Sequence, residues 1–397
     1  MATPTTAELA AIVETEQDRM VDVRRTLHRR PELSFVENAT TSLIDEHAAA
    51  IGLTKGFCPT DTGAVWTLDG GRPGRTVLIR ADIDALPIIE TAPIDFASEV
   101  EGVMHACGHD AHTAQLLGAA SALAARAEDL PGRYVFLFQP AEEALGGAIA
   151  MIDGGVLDGL GVEAVVGCHV ASIAPTGLIG IKPGIAMSDS RKLTIEASGV
   201  GGHGALYTGG ADPIVAIALV ATRLGSVIEG LELEGSHCAC SAGILAAGTA
   251  PNVIPSHAHL EGTLRVFTQS HLDIVVSRID DLLVEVAEES GCTLRVAYGE
   301  HAPAVVNDAG AAEVVRQTAA ELLGESGVFA MPPTSPSDDV SEFLERIPGA
   351  YFFVGAGLAD GSSGGHHNPG FAIDEACMPI AATVLASSAI SLATPRA

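Results

Sequence analysis

Positive charge is scarce in this sequence. Its 397 residues include 21 Lys and Arg against 50 Asp and Glu, which gives a formal net charge of −29 at pH 7. A chain with this balance repels the phosphate backbone of a nucleic acid. The composition therefore argues against DNA or RNA as a main partner.

Long apolar runs are absent as well. No stretch of about 18 residues is apolar throughout, as a membrane span would require, and residues 1–20 lack the basic and then apolar order of a secretory signal. The seven cysteines are an odd number spread thinly, which fits free thiols better than a disulfide framework. We therefore expect no contact with a membrane and a cytoplasmic location.

The parts of the sequence before about residue 187 and after about residue 299 alternate between strand and helix signals. The chain is too long for one compact core, and 47% of its residues are hydrophobic. Apolar segments alternate with helical patterns in a way that is typical of a mostly parallel sheet covered by helices on both faces. The predicted strands are 65–68, 76–83, 134–138, 164–168 and 350–354, and the predicted helices are 7–30, 37–51, a helix that starts after Asp110, 145–153 and 309–324.

A change of pattern separates a central segment from the rest. Between about residues 187 and 299 the signals run strand, helix, strand, strand, helix, strand, the order of a ferredoxin-like βαββαβ unit. Signals of the first type then resume. We therefore predict an α/β domain formed by residues 1–186 and 300–397, with residues 187–299 inserted in it.

Polar residues of the kind that bind ligands follow several predicted strands. They are Asp82, Asp84, Glu142, Glu143 and His169. In open α/β sheets, ligands bind at the carboxyl ends of the strands. The sequence therefore predicts that these side chains meet at one edge of the sheet.

The densest group of such side chains is His-Ala-Cys-Gly-His-Asp-Ala-His at residues 105–112. Cys107 and His109 are two residues apart, so both can point at one ion, and a thiolate with an imidazole suits zinc. Asp110 stands where the N-cap of the following helix is expected. A single histidine here would more often be a capping or surface group, but the clustering favours a metal site.

Glu142 and Glu143 are adjacent carboxylates at a strand end. Neighbouring side chains on an extended segment point in different directions, so one can bind metal while the other faces a water molecule. A solvated helix start is the alternative. His203, in a glycine-rich turn, and His367, in a late loop, are further candidates, although each could be an exposed loop histidine.

Eight motifs follow one another along the chain. They are HRRPELS (28–34), RADIDALP (80–87), HACGHDAH (105–112), QPAEE (139–143), GVGGHGA (199–205), NVIP (252–255), GTLR (262–265) and HNP (367–369). Together they resemble the M20 family of metallopeptidases and amidohydrolases, in the branch that contains aminoacylases, hippurate hydrolases and auxin-conjugate hydrolases.

The resemblance implies a zinc-peptidase-like catalytic domain with a centre for two divalent ions, zinc or manganese. The implied metal ligands are Cys107, His109, Glu143, His169 and His367. Cys107 would replace the aspartate that bridges the two ions elsewhere in the family. Asp82 and Asp84 would orient ligands rather than bind metal.

The remaining roles are implied in the same way. Glu142 would be the general base, and Asn252 and Arg265 would hold a substrate carboxylate, a task that the forked guanidinium suits. The inserted unit would act as a lid and dimerisation domain. His203 would stabilise the oxyanion, reaching into the partner's active site in a homodimer or a higher homo-oligomer.

The function implied by the resemblance is hydrolysis of the amide bond of N-acyl amino acids or similar small conjugates to a carboxylic acid and a free amino acid. Two alternatives use the same scaffold: a dipeptidase or carboxypeptidase, and a deacetylase of the N-acetyl-diaminopimelate type. A third, from a different class, is a metal-bound binding protein without turnover.

Overall fold

The computed structural model describes residues 2–206 and 209–395, which fold as two units. The first runs up to Ala186, resumes over Val306–Met331 and continues from Asp339 onwards. The second comprises Met187–Val305 and Pro332–Asp338.

Helices and strands alternate along the described part of the chain. The helices are α1 (Thr6–Thr15), α2 (Gln17–Arg29), α3 (Asn38–Ile51), α4 (His109–Ala124), α5 (Gly147–Asp153), α6 (Pro213–Arg223), α7 (Gln269–Ser290), α8 (Ala309–Leu323), α9 (Ser341–Leu344) and α10 (Cys377–Ala393). The strands are β1 (Thr54–Lys55), β2 (Ala64–Asp69), β3 (Arg72–Asp82), β4 (Pro131–Gln139), β5 (Val162–Pro175), β6 (Ile179–Ile181), β7 (Gly184–Met187), β8 (Asp189–Ser198), β9 (Gly202–His203), β10 (Glu232–Leu233), β11 (Ser236–His237), β12 (Ala239–Ala247), β13 (Val253–Ile254), β14 (His257–Val266), β15 (Thr293–Ala302), β16 (Val305–Asn307), β17 (Val328–Ala330) and β18 (Gly349–Gly357).

The first unit is built on a sheet with the strand order β1-β2-β4-β3-β5-β18-β6-β17. The central strands β4, β3, β5 and β18 are parallel to their neighbours in this run, and β2 pairs with β4 in the antiparallel sense. The prediction of a mostly parallel α/β sheet is confirmed.

Both faces of this sheet are buried. Phe136 and Phe138 of β4 belong to a core shared with residues of α4 and α10, whereas Val135 and Leu137 belong to a second core shared with residues of α5. Because successive side chains of a strand point to opposite faces, an uninterrupted apolar run is what two covered faces require.

The second unit contains a four-stranded antiparallel sheet with the order β12-β14-β8-β15. Helix α6 lies between β8 and β12 in the chain, and α7 lies between β14 and β15. This is a βαββαβ order, with short additional strands between its main elements. Strand β15 continues to Ala302, past the predicted boundary at residue 299.

The first predicted helix and the apolarity of the helices can be compared with the expectations from the sequence. The helix predicted over residues 7–30 is divided by a turn at Glu16 into α1 and α2. Among the residues that the structure describes, no helix combines the length and the apolarity needed to cross a bilayer.

Candidate metal centre

Ligand-type side chains meet at the carboxyl edge of the parallel strands. Asp82 is the last residue of β3, and His169 lies in β5. Glu142 and Glu143 follow the end of β4. The loop before α4 contributes Cys107, so the chain converges on this edge from several directions.

Cys107 lies against two histidines. Its Sγ is 3.4 Å from Nε2 of His169 and 3.8 Å from Nδ1 of His366. The Nδ1 of His169 lies 2.7 Å from the carbonyl oxygen of Val170, and donation of this proton leaves a lone pair on Nε2 facing the thiol. Burial, with the charges of neighbouring histidines, holds the pKa of His169 well below its ordinary value. The ring is therefore neutral and able to act as a ligand.

His109 lies close to three carboxylates. Its Nδ1 lies 2.9 Å from the carbonyl oxygen of Asp84. Its Nε2 lies 3.7 Å from Asp82, 4.0 Å from Glu142 and 3.9 Å from Glu143. This Nε2 is buried and makes no hydrogen bond with the described residues.

His367 reaches the same group from the late loop. Its Nε2 is 3.3 Å from Oε1 of Glu143. Hydrogen bonds with the Cys107 thiol and with Glu143 raise the pKa of His367 to about 10, although burial opposes the shift. The backbone N–H of His367 donates to the carbonyl of Ala106 at 2.9 Å, and its φ of 59° is left-handed. The loop is thus fixed directly beside Cys107.

Asp84 positions the two glutamates. Its two carboxylate oxygens accept the backbone N–H groups of Glu142 and Glu143, each at 3.1 Å. The Ser34 hydroxyl donates to the same carboxylate at 2.7 Å. Asp84 is 1% exposed, so its charge is satisfied by the backbone that carries the glutamate pair.

Divalent cations fit this arrangement. Burial lowers the pKa of His109, but Asp82 and Cys107 outweigh that effect and raise it well above the ordinary value, so the surrounding anions hold a proton on this imidazole. The same negative charge would hold a metal ion, and the unpartnered Nε2 supplies a ligand atom. Thiolate, imidazole and carboxylate are the donors that zinc accepts. Ligand atoms of Cys107, His109 and Glu143 lie within 4.8 Å of one another, as do those of Cys107, His169 and His366.

Asp110 is not the N-cap of α4, contrary to the prediction. The cap residue is Gly108, with φ 92° and no side-chain cap. The Asp110 carboxylate is fully buried and accepts from His28 Nδ1 at 2.8 Å and from Arg24 Nε at 3.2 Å. Burial alone would lower the pKa of His28, but Asp110 and a hydrogen bond with Glu90 raise it to about 9. The side chain is used in a buried ion pair, which no local pattern indicates.

His105 lies apart from the groups around Cys107. Neither of its ring nitrogens hydrogen-bonds to a described residue, and it is 1% exposed. Burial lowers its pKa to about 4. His112, the last histidine of the same motif, has partners on both ring nitrogens. Its Nδ1 lies 2.5 Å from Oδ1 of Asp82, and its Nε2 accepts the N–H of Val170 at 2.9 Å.

The other candidate residues belong to the second unit. His203 in β9 pairs with Val253 in β13, and the carbonyl of Asn252 accepts the N–H of Gly204 at 2.9 Å. His203 and Asn252 are exposed. Arg265 in β14 donates from Nη1 to the carbonyl oxygen of Ser335 and to the Ser337 hydroxyl, both at 3.2 Å. Within this unit, His203 and Asn252 are neighbours.

Sequence reasoning missed residues that support the centre. Glu37 is completely buried and accepts the N–H of Ala141 at 2.9 Å. Arg80 is buried between Asp82 and Asp339. His366, beside Cys107, is not among the sequence candidates although it adjoins His367. The one available signal is that Glu37, Arg80 and His366 fall in or near the family motifs.

A buried α/β sheet with a cysteine thiol, imidazoles and carboxylates at its carboxyl edge is the arrangement of an α/β protein with a metal centre. The profile of Peptidase family M20/M25/M40 matches residues 78–391. N-acetylcysteine deacetylase of Bacillus subtilis (strain 168) is 35% identical over 378 residues, which cover 94% of this chain and 96% of that protein. The chain belongs to the M20/M25/M40 family, which confirms the resemblance.

Two further comparisons extend this result. Thermostable carboxypeptidase 2 of Saccharolobus solfataricus is 33% identical over 387 residues, with coverage of 95% and 96% of the two chains. The crystal structure of the Bacillus subtilis YXEP protein, described as a dinuclear metal binding peptidase from the M20 family, has a TM-score of 0.81 and 31% identity. The match covers 96% of this chain and 99% of that one.

Proposed function

We propose that this chain is a metal-dependent amidohydrolase that cleaves the amide bond of N-acyl amino acids or similar small conjugates, releasing a carboxylic acid and a free amino acid. The chain is a hydrolase of the M20 family. The observation that carries the proposal is the buried Nε2 of His109, which lies 3.7 Å from Asp82, 4.0 Å from Glu142 and 3.9 Å from Glu143 in the loop region of Cys107. The deacetylase relative supports an acyl amino acid as the substrate.

The proposed ligands of two divalent ions are Cys107, His109, Glu143, His169 and His367. Zinc or manganese at such a centre lowers the pKa of water and polarises an amide carbonyl. The thiolate of Cys107 favours zinc by its softness, although cellular supply can override that preference. The description of the YXEP protein as dinuclear supports two ions here.

Glu142 is the proposed general base. The residue is 6% exposed, and its Oε2 is 4.0 Å from Nε2 of His109. In this role the carboxylate accepts a proton from the attacking water and then donates it to the leaving nitrogen. Asp84 accepts the backbone N–H of this residue, which fixes the backbone that carries the proposed base.

The second unit would supply substrate contacts as a lid. Arg265 and Asn252 are proposed to bind the carboxylate of the amino acid, and His203 to stabilise the oxyanion. The exposure of His203 and Asn252 leaves both side chains accessible to a ligand. The seven cysteines are free thiols, which suits a reducing compartment, and the cytoplasmic location remains a prediction.

A carboxypeptidase is the second candidate function. The observation that favours it is the 33% identity to thermostable carboxypeptidase 2 over nearly the whole chain. Both reactions break an amide bond beside a free carboxylate, so the same base and ligands serve either. The two functions differ in what lies on the acyl side of that bond.

A substrate panel tests the proposal. We expect protein loaded with zinc or manganese to hydrolyse N-acyl amino acids faster than dipeptides carrying the same C-terminal residue, and chelation to abolish both activities. Chromatographic quantification of the released C-terminal amino acid measures both reactions. Faster hydrolysis of dipeptides would favour the carboxypeptidase, and bound metal without turnover of any substrate would indicate a binding protein.

We also propose that the chain forms a homodimer through β12. This strand lies at one end of its sheet, carries no charged residue and leaves Ile244 and Leu245 about half exposed, at 53% and 50%. An uncharged, exposed edge strand is a template for pairing with another strand. Antiparallel pairing of two copies of β12 about a twofold axis would satisfy both edges.

Ile244→Lys is expected to convert the dimer into a monomer, because it places a charge in the proposed strand pair. Light scattering after size-exclusion chromatography measures the mass. Val284→Lys on α7 is the matched control, since Val284 is also exposed, at 59%. A wild-type monomer, or an Ile244→Lys variant that remains dimeric, would refute this interface.

A further inference from the structure

The Cys107 sulfur has the imidazole of His366 beside it, a side chain outside the proposed ligand set. Nδ1 of His366 lies 3.8 Å from Sγ, and Nε2 of the proposed ligand His169 lies 3.4 Å from the same atom. Ligand-type atoms of Cys107, His169 and His366 all fall within 4.8 Å of one another. His366 therefore belongs to the candidate centre, although the proposed chemistry does not use it.

The two imidazoles face the sulfur with opposite hydrogen-bonding character. Nδ1 of His169 lies 2.7 Å from the carbonyl oxygen of Val170, so that ring keeps its proton away from the sulfur and presents a lone pair to it. On His366 the order is reversed, because the backbone N–H of Ser172 donates to Nε2 at 3.4 Å. A neutral imidazole that accepts at one nitrogen carries its proton on the other. The N–H of His366 therefore faces the Cys107 sulfur.

Several contacts hold the His366 ring in this orientation. Its centroid is 5.1 Å from the ring centroid of His169 and 5.1 Å from that of Phe371, and Phe371 is completely buried. The Ser172 hydroxyl donates at 3.0 Å to the carbonyl oxygen of Gly364, two residues before His366. Ser172 in β5 thus fixes both the loop and the position of the ring proton.

This arrangement distinguishes His366 from a metal ligand. A histidine binds an ion through an unprotonated ring nitrogen, and the one such nitrogen of His366 accepts the N–H of Ser172. What the ring offers to the sulfur is a donor. Groups that donate to a ligand from behind orient it and tune the metal, and hydrogen bonds to metal-bound sulfur are one of the means by which a protein does so.

We propose that His366 is a positioning residue that donates a hydrogen bond from Nδ1 to the Cys107 sulfur and holds this sulfur in place as a metal ligand. The inference rests on the proposed function, in which Cys107 binds the two ions. Hydrogen bonds that involve a charged partner are stronger than neutral ones, so this bond gains strength when the sulfur is a thiolate. His366 thus strengthens metal binding without contacting an ion.

Two amide variants of His366 provide the test. In His366→Asn the amide nitrogen is attached to Cγ, as Nδ1 is in histidine, so it can still donate to the sulfur. In His366→Gln the amide is one methylene further out, where it can accept from Ser172 but leaves the sulfur without its donor. We expect the zinc dissociation constant, measured by competition with a chelating dye, to rise by roughly 10- to 100-fold in His366→Gln and to stay near the wild-type value in His366→Asn.

The absorption spectrum of the cobalt(II) protein gives a second readout. A sulfur that loses a hydrogen bond holds its electrons less tightly, so its charge-transfer band to cobalt should move to longer wavelength in His366→Gln and keep its position in His366→Asn. His237→Gln is the control, because this histidine belongs to the second unit and its side chain is 77% exposed. It should leave both the dissociation constant and the band unchanged.

The order of the two amide variants decides the inference. If the ring only filled space, glutamine, which is closer to histidine in size, would preserve metal binding better than asparagine, and the inference would be wrong. Equal losses in both variants would indicate a direct ligand, and no loss in either would show that the sulfur needs no donor; each result overturns the proposal while leaving the proposed function intact. Wild-type protein that bound neither zinc nor cobalt would refute the proposed function, and the inference with it.

Discussion

Glu142→Gln is expected to lower kcat by about 10²- to 10⁴-fold, the range that a general base contributes. The substitution keeps the size of the side chain, and the backbone N–H of residue 142 can still donate to Asp84. An amide cannot accept the proton of the attacking water, so the loss falls on the chemical step. Steady-state kinetics with an N-acyl amino acid provide the measurement.

Glu143→Gln separates the base from a proposed ligand. Glu143 lies 3.3 Å from His367 and 3.9 Å from His109, so this variant should lose metal as well as activity. Glu142→Gln should retain the wild-type metal content by elemental analysis. A Glu142→Gln enzyme that kept more than about a hundredth of the wild-type kcat would count against Glu142 as the base.

Arg80→Met is expected to lower the free energy of unfolding by about 3–5 kcal/mol, because it leaves buried carboxylates without their cation. Arg80 is 1% exposed, and its guanidinium lies 2.7 Å from Asp82 and 3.0 Å from Asp339. Its Nε also donates to the Gln139 side chain at 2.9 Å. Methionine fills much of the same space but supplies none of these donors.

Arg75→Met is the matched control for that prediction. Arg75 lies in the same strand, but its pair with Glu163 spans 3.7 Å, and the two side chains are 39% and 54% exposed. Exposed pairs contribute about 0–1 kcal/mol, so this variant should unfold almost as the wild type does in urea. If Arg80→Met cost no more than Arg75→Met, Arg80 would not be the group that balances Asp82 and Asp339.

The central sheet could be predicted from the sequence because its strands are apolar on both faces. Strand β4 is buried from Tyr134 to Gln139, and the predicted strand 134–138 coincides with that part. Strand β5, predicted over 164–168, runs on to Pro175, where it pairs with β18. Its final residues are partly exposed, so no apolar run marks them. Short strands such as β6 and β17, three residues each, are too short to carry a pattern.

Part of the site could be predicted because the chemistry is local. Cys107 and His109 are two residues apart, and Glu143 follows a strand, so chain order alone placed them near one sheet edge. Their side chains do lie together. The metal-binding roles of these residues remain predictions.

Long-range partners could not be predicted. Glu37 and Arg80 are buried because groups distant in the chain satisfy their charges. Arg80 falls within a predicted strand, but nothing in the sequence identifies Asp339 as its partner. The same holds for Asp110, whose partners Arg24 and His28 lie in α2. His366 and His367 share one loop, and both approach Cys107. Which of the two imidazoles reaches the thiol depends on the backbone conformation of that loop, so the sequence alone does not indicate that both do.

Anomalous diffraction from crystals grown with zinc or manganese shows directly whether two ions bind beside Cys107. We expect two anomalous peaks beside Cys107, within bonding distance of the proposed ligands Cys107, His109, Glu143, His169 and His367. No peak near Cys107, or a single ion held by Asp82 and His112, would contradict the proposed two-ion centre.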